Sequence, residues 1–226
     1  MTDRGTLSIH DTLLRLPLFQ GISQTDLKQV VGHTVFEFTR LETGQTVLTA
    51  GESCTALTYL LSGQVSALTQ SDDHGYSLEE TLHAPTLIQP ECLFGLTQRY
   101  THTVSTMIQC DMLTISKAET LRLLADYDIF RTNLLNILST RAQRLARQPW
   151  HTQPHSIREK ILRFVSDRCL YPAGSKVLHI GMKPLAEMIG ESRLNLSREL
   201  HRMQERGLIV LRREHIHIPA LEQLFN

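Results

Sequence analysis

The sequence lacks the segments that would place the protein in or across a membrane. Its 226 residues contain no run near the roughly 20 apolar residues of a membrane-spanning helix. The opening segment MTDRGTLSIHD has no apolar stretch of the kind found in secretory signals. We therefore predict a soluble, cytoplasmic protein without a membrane partner. With 41% hydrophobic residues, the chain is long enough for two domains with separate cores.

Cysteine is scarce and scattered. The four cysteines show no C-x-x-C pair and no Cys/His finger spacing; they are Cys54, Cys92, Cys110 and Cys169. This spacing predicts neither a zinc site nor a disulfide framework, and buried reduced thiols are the simpler interpretation. An iron–sulfur cluster, the alternative, would have to gather its ligands from two domains. No metal site is predicted.

Common catalytic motifs are also missing. The sequence has no nucleophile elbow, phosphate-binding loop or HExxH, and Glu91 has no identifiable acid/base companion. We therefore predict that the protein is not an enzyme. The alternative is an enzyme or small-molecule-binding module whose C-terminal part mediates only protein contacts. Retained function after deletion of residues 150–226 would favour that alternative.

The net charge is zero, but the charges are unevenly distributed. Residues 1–149 carry 11 Lys and Arg against 15 Asp and Glu, whereas residues 150–226 carry 12 against 8. A basic part of the chain next to an acidic one is typical of contact with nucleic acid.

The stretch KPLAEMIGESRLNLSRELHRMQERGLIVLRR predicts two helices joined by a tight turn. Ala186, Gly190 and Leu196 supply a small residue for close helix crossing, a glycine for a turn with positive φ, and an aliphatic anchor. Pro184 suits the first turn of the leading helix, and Ser192 is an N-cap for the second. This spacing is that of a helix-turn-helix.

The second predicted helix has one apolar stripe, formed by Leu196, Leu200 and Met203. Polar side chains that bind base edges and phosphates start the helix or lie away from the stripe. They are Ser192, Arg193, Asn195, Ser197, Arg198 and Arg202. The sequence therefore predicts that this helix binds double-stranded DNA, with a solvated helical hairpin as the alternative.

A β-hairpin is predicted after Gly207, from Leu208–Leu211 and Ile216–Ile218. It places Arg212 and Arg213 near its tip, where they could contact a phosphate backbone. A helix-turn-helix followed by such a hairpin is a winged helix-turn-helix.

The first part of the chain predicts a β-rich domain. Residues 7–31 suggest short helices, with Ser23 and Asp26 resembling a capping box. From Val35 to Ile115 the sequence has short β-type runs separated by glycine, aspartate and proline, which predicts a β-roll. The fold class is therefore α+β, with a jelly-roll-like β-roll before the winged helix-turn-helix.

A long helix is predicted between these two parts, over Ile129 to Arg147, after a shorter one from Lys117 to about Tyr127. One of its faces has close to heptad spacing and comprises Phe130, Leu134, Ile137, Leu138, Arg141 and Leu145. Such a face suits pairing with a second copy, so we predict a homodimer. The alternative is that the face packs on the roll.

The predicted domains are a sensor roll over residues 1–126, the long helix and a hinge over 127–149, and the winged helix-turn-helix over 150–226. Ser156 and Glu159 form a capping box at the start of the last domain.

The whole chain resembles the Crp/Fnr family of bacterial transcription regulators. The segments that carry the resemblance are PLFQGIS, the glycine-punctuated roll, the long helix, IREKI and LAEMIGESRLNLSRELHRMQERGLI. The resemblance implies a cyclic-nucleotide-binding-like sensor roll, a DNA operator, and RNA polymerase as a further partner. It also implies that Arg193 and Arg198 read bases, while Ser192, Asn195 and Ser197 hold the backbone or a base. Leu194 departs from the acidic or small residue of many members, so a different target sequence is expected.

The resemblance also indicates where an effector would bind. In the cyclic-AMP branch, a Gly-Glu pair and a later Arg-Ser/Thr pair clasp ribose and phosphate, whereas this chain has Pro90-Glu91 and Tyr100-Thr101. Without the arginine, the phosphate loses a charge-assisted bond of about 1.5–3 kcal/mol. The predicted pocket residues are Glu91, Tyr100 and Thr101, and cyclic AMP is not expected as the ligand.

Other signals stay open at this point. The oxygen-sensing branch uses clustered N-terminal cysteines, which residues 1–31 lack. Haem as a gas-sensing cofactor is an alternative, with possible ligands in or near the roll. These are His33, His74, His83, His102, Met107 and Met112. A third possibility is a regulator without effector, whose pocket is filled by Leu93 and Tyr100.

Overall fold

A computed structural model of the chain describes residues 9–150 and 152–225. Residues 7–8 of the predicted first helices, and His151 and Asn226 of the predicted C-terminal domain, lie outside this part. The chain divides into two compact units. The first consists of Met1–Val65, His83–Thr101 and Thr106–Arg147, and the second of Ser66–Leu82, His102–Ser105 and Gln148–Asn226. The predicted domain boundaries stay a prediction, because these units group residues by contact and not by order in the sequence.

The helices of the first unit form two pairs. Near the N-terminus are α1 (Ile9–Leu14) and α2 (Gln24–His33), and the Ser23 hydroxyl accepts the Asp26 N–H at 3.0 Å to cap α2. After the roll strands come α3 (Lys117–Asp126) and the 20-residue α4 (Asp128–Arg147).

Eight short strands lie in the part of the chain that was predicted to form the roll. They are β1 (Glu37–Leu41), β2 (Thr46–Leu48), β3 (Ala56–Ser62), β4 (Gln64–Gln70), β5 (Ser77–His83), β6 (Thr86–Ile88), β7 (Thr103–Thr106) and β8 (Cys110–Ser116). In the first unit, β1, β8, β3 and β6 follow one another in a four-stranded sheet. The sequence analysis did not predict β6, which has only three residues and depends on its pairing with β3.

The second unit contains the C-terminal helices and strands. In order, these are α5 (Ile157–Ser166), β9 (Lys176–His179), α6 (Met182–Met188), α7 (Arg193–Glu205), β10 (Val210–Arg212) and β11 (His215–Ile218). Ser156 caps α5 by accepting the Glu159 N–H at 3.1 Å, as the capping box predicts. The predicted α+β class, with a β-roll followed by a helix-turn-helix domain, is confirmed.

A roll strand extends the sheet of the winged helix-turn-helix. In the second unit the strand order is β10-β11-β9-β5-β4-β7, with β5 antiparallel to β9 from Ser77↔His179 to Glu80↔Lys176. Leu78 of β5 is buried in the same hydrophobic cluster as α5, α6 and α7. Strand β9 was not predicted, because its four residues are stabilised by neighbours on both sides and not by a local pattern.

A buried ion pair lies at the end of this strand pairing. Lys176 Nζ is 3.0 Å from Glu80 Oε2, and both side chains are fully buried. The Glu80 carboxylate also accepts the N–H groups of Leu170 at 2.6 Å and Tyr171 at 3.3 Å, while Lys176 donates to the Ala173 carbonyl at 2.7 Å. Each charge therefore has hydrogen-bond partners that offset its removal from water.

No helix in the described ranges is both long enough and apolar enough to cross a membrane.

Candidate nucleic-acid interface

The helix-turn-helix is formed by α6, a tight turn and α7. Gly190 adopts φ +65°, and the Glu191 N–H donates to the Ala186 carbonyl at 2.9 Å. Ala186 and Leu196 are buried, so the two helices cross closely on the shared core. The glycine is needed because a side chain at this φ would strain the backbone.

The start and the orientation of α7 are both fixed. The Ser192 hydroxyl accepts the Asn195 N–H at 3.1 Å and caps the helix. Leu196, Leu200 and Met203 are at most 1% exposed and attach one face of α7 to the core. The opposite face is consequently directed outward.

Most of the predicted DNA-binding side chains lie on this outward surface. Ser192, Arg193, Asn195, Arg198 and Arg202 are exposed, and Ser197 is half-buried. Arg202 lies 3.5 Å from the Glu199 carboxylate; the Arg202 side chain is exposed and that of Glu199 is half-buried. In the part of the chain that the structure describes, Arg193 and Arg198 form no ion pair. Their guanidinium groups are available to bases or phosphates.

The wing is the antiparallel pair of β10 and β11, with Arg212 opposite His215. Arg213 and Glu214 form the connecting turn, so the two arginines lie at the tip of the hairpin and are exposed. Glu214 has φ +64°, and its carbonyl accepts the Ile180 N–H at 3.0 Å, which ties the tip to the start of α6.

One residue that positions the turn was missed by the sequence analysis. Lys160 of α5 donates to the Glu191 carboxylate at 2.6 Å, and both side chains are largely buried. This ion pair attaches the helix-turn-helix turn to α5. The two residues are 31 positions apart, and no local pattern connects them.

The predicted effector residues of the roll are engaged with other side chains. Glu91 forms an ion pair with Arg141 of α4, and Arg141 also donates to the Leu87 carbonyl at 3.2 Å. Tyr100 is 8% exposed, and burial raises the pKa of its hydroxyl, with a further contribution from Cys54.

Gln89 was not predicted, yet it holds the third pocket residue, Thr101. The Gln89 side-chain carbonyl accepts the N–H of Thr101 at 2.7 Å and its hydroxyl at 3.1 Å. Gln89 is buried and has a left-handed backbone, φ +45°. The N–H and hydroxyl donors of Thr101 are therefore both engaged by an uncharged acceptor within the chain. Leu93 is also fully buried.

The residues considered as haem ligands have different environments. His33, His74, His83 and Met107 are exposed, whereas His102 and Met112 are buried. The four cysteines are buried. Among residues 9–150 and 152–225, no group of three or more His, Cys, Asp or Glu side chains could hold a metal ion.

The predicted dimer face of α4 divides into a packed half and a more exposed half. Phe130 and Leu134 are at most 2% exposed within the single chain, and the Phe130 ring lies 5.2 Å from that of Phe19. These two side chains pack inside the chain, with Phe130 against a residue that precedes the roll strands. The predicted dimer face stays a prediction. Further along α4, Ile137, Leu138 and Arg141 are half-buried and Leu145 is 55% exposed. Leu135, which was not predicted, is 57% exposed.

Two family models match the chain, in the order in which the folded parts occur. The model of the cyclic nucleotide-binding domain matches residues 38–127, and that of the Crp-like helix-turn-helix domain matches residues 158–226. The combination defines a DNA-binding transcriptional regulator with a sensor-type roll. The chain belongs to the Crp/Fnr family of transcriptional regulators.

Solved structures share this fold at low sequence identity. A transcriptional regulator of the Crp/Fnr family from Eubacterium rectale is 19% identical, with 93% of this chain and 96% of that chain covered and a TM-score of 0.53. The c-di-GMP-responsive global regulator CLP of Xanthomonas campestris is 20% identical, with 87% and 99% covered and a TM-score of 0.50. The sensor domain of the regulator DNR from Pseudomonas aeruginosa is 23% identical, with 66% and 95% covered and a TM-score of 0.51. A comparison with curated proteins finds no match.

Proposed function

We propose that the protein acts as a homodimer that places α7 in the major groove of a specific operator. One observation carries this proposal: Arg193, Asn195 and Arg198 are exposed near the start of a helix whose opposite face is fixed in the core. In helix-turn-helix proteins, the N-terminal residues of the second helix contact base edges.

The side chains of this surface divide by their chemistry. Arg193 and Arg198 are the proposed base readers, because a guanidinium forms two parallel hydrogen bonds with guanine. Ser192, Asn195 and Ser197 hold the backbone or a base. Phosphate contacts are assigned to Arg202 and to the two arginines of the wing, whose exposed positions suit a sequence-independent attraction.

The proposed dimer contact uses the exposed apolar positions of α4. The spacing is 3-4-3 for Leu135, Leu138, Ala142 and Leu145. Leu138 is half-buried, and the other three are exposed. This is the a/d spacing of a two-stranded coiled coil. Phe130 and Leu134 instead support the helix from inside the chain.

For the signal, we propose that the roll does not bind cyclic AMP as its cyclic-AMP-binding relatives do. By the family resemblance, Tyr100 replaces a phosphate-binding arginine. In addition, Glu91 is paired with Arg141, and the Gln89 side chain accepts both Thr101 donors. A cyclic phosphate would have to break the Glu91–Arg141 ion pair and the Gln89–Thr101 hydrogen bonds, and position 100 offers it a phenol in place of an arginine. A different ligand, or none, is consistent with these contacts.

The remaining parts of the proposal follow from action on DNA. The protein would act in the cytoplasm, contact RNA polymerase at its operators, and control transcription without catalysing a reaction. The match of residues 158–226 to the Crp-like helix-turn-helix domain supports action on DNA.

The test is selection of bound duplexes from a random-sequence DNA pool by the purified full-length protein. We expect an enriched inverted repeat whose half-sites are centred about 34–36 Å apart, one helical turn, since a two-fold dimer presents two α7 helices. An enriched single half-site would contradict the dimer, and a pool without enrichment would contradict specific DNA binding.

A further inference from the structure

Leu194 is the unexpected residue of the DNA-binding helix. All thirteen residues of α7 are described, and four of them are apolar. Leu196, Leu200 and Met203 are buried in the core, whereas Leu194 is 60% exposed. Packing within the described residues therefore does not explain an apolar side chain at this position.

The position of Leu194 is central to the surface that faces DNA. It is the second residue of α7, in the turn that helix-turn-helix proteins present to base edges. It lies one helical turn before Arg198 and therefore on the same face. It lies two residues before Leu196, which directs it away from the core.

A single exposed leucine is common on protein surfaces and by itself needs no explanation. Leu194 differs from such a residue in two ways. Every other α7 side chain outside the buried stripe is polar or charged, and α7 is the helix proposed to contact bases. In a groove, Leu194 would be removed from water with its neighbours. A base edge with hydrogen-bonding groups would then lose water without gaining a partner.

Only one group of the major groove is complementary to such a side chain. Guanine, cytosine and adenine present hydrogen-bond donors and acceptors there, whereas thymine also presents its apolar C5-methyl group. We infer that Leu194 is a specificity-determining residue that packs on a thymine methyl group in each operator half-site. This inference rests on the proposed function, because it requires α7 to lie in the major groove.

The experiment uses the operator enriched by the full-length protein. At each thymine of the half-site, thymine is replaced by uracil, which removes only the methyl group and keeps the base pair. Burial of one methyl group changes affinity about fourfold. We therefore expect one position per half-site at which uracil weakens binding about fourfold. Replacement at that position in both half-sites should weaken binding on the order of fifteenfold. Fluorescence anisotropy of labelled duplexes measures the affinity.

Two variants show whether Leu194 is responsible. Leu194→Ala should bind the unmodified operator about as weakly as the native protein binds the operator with uracil at the sensitive position. It should no longer distinguish these two duplexes. Leu121→Ala is the control, because Leu121 of α3 is 50% exposed but lies outside the DNA-binding surface; it should retain both affinity and uracil sensitivity. Circular dichroism checks that both variants are folded.

Each outcome separates this inference from the proposed function. Enrichment of an operator with no uracil-sensitive thymine would overturn the role of Leu194 and leave DNA recognition by α7 intact. Uracil sensitivity that persists in Leu194→Ala would assign the methyl contact to another residue. A protein that enriches no sequence would instead refute the proposed function itself.

Discussion

Two cationic side chains of the C-terminal unit, Lys176 and Arg198, have opposite environments. Lys176 is fully buried between β5 and β9, 3.0 Å from the Glu80 carboxylate and 2.7 Å from the Ala173 carbonyl. Arg198 is exposed on α7 and has no ion pair among the described residues.

The difference separates a charge that holds the fold from a charge that is available to a ligand. The buried pair connects β5, a strand of the part that matches the cyclic nucleotide-binding model, to β9 of the helix-turn-helix domain. Its loss is expected to change stability, with little sensitivity to salt, because buried charges are weakly screened. The exposed arginine should affect DNA binding and leave stability unchanged.

The largest expected effect comes from replacing Lys176 with methionine. The change leaves the Glu80 carboxylate buried with two backbone N–H donors but no counter-charge. Breaking a buried pair in this way destabilises a protein by about 3–5 kcal/mol. Urea unfolding, followed by circular dichroism, measures the free energy of unfolding.

Two controls sharpen this prediction. Adding Glu80→Gln to Lys176→Met removes the unpaired charge and should recover much of the lost stability. Arg40→Met breaks the exposed pair of Arg40 and Asp111, 2.7 Å apart, and should leave the unfolding curve nearly unchanged. If Lys176→Met and Arg40→Met were equally mild, the buried pair would not stabilise the β5–β9 contact.

Replacing Arg198 with alanine should produce an intermediate effect, confined to DNA binding. Loss of a bidentate base contact weakens binding to the preferred operator by about 1–3 kcal/mol and relaxes the preference at one base pair. Competition among operators that differ at single positions measures this preference. Lys28→Ala, an exposed cation on α2, is the matched control and should change neither quantity. An Arg198→Ala protein that retained full specificity would remove Arg198 from the base readers.

Local patterns predicted most of the DNA-binding domain. Several of its features depend on residues only a few positions apart and can therefore be predicted from the sequence. They are the caps at Ser156 and Ser192, the turn at Gly190 and the apolar stripe of α7. The succession of short strands between Val35 and Ile115 and the long helix could be predicted for the same reason. Turn glycines and periodic apolar residues are local signals.

Features that depend on distant residues could not be predicted in this way. Strand β9 forms because β11 and β5 flank it, the pair of Lys160 and Glu191 joins positions 31 residues apart, and Gln89 meets Thr101 only in the folded roll. The heptad pattern of α4 likewise did not reveal that Phe130 and Leu134 pack inside the chain. The apolar pattern of one helix does not show whether its partner is the rest of the same chain or a second copy.

The smallest expected effect tests the wing. Arg212 lies at the hairpin tip and is assigned to phosphate, so Arg212→Ala should weaken binding similarly for all sequences. Each lost phosphate contact reduces the slope of log affinity against log salt by about 0.9, so a dimer should lose about 1.8. Titrations between low and moderate salt measure the slope, with Lys28→Ala again as control. A changed preference among operators with an unchanged slope would make Arg212 a base reader. The assignment of base contacts to α7 and of phosphate contacts to the wing would then be wrong.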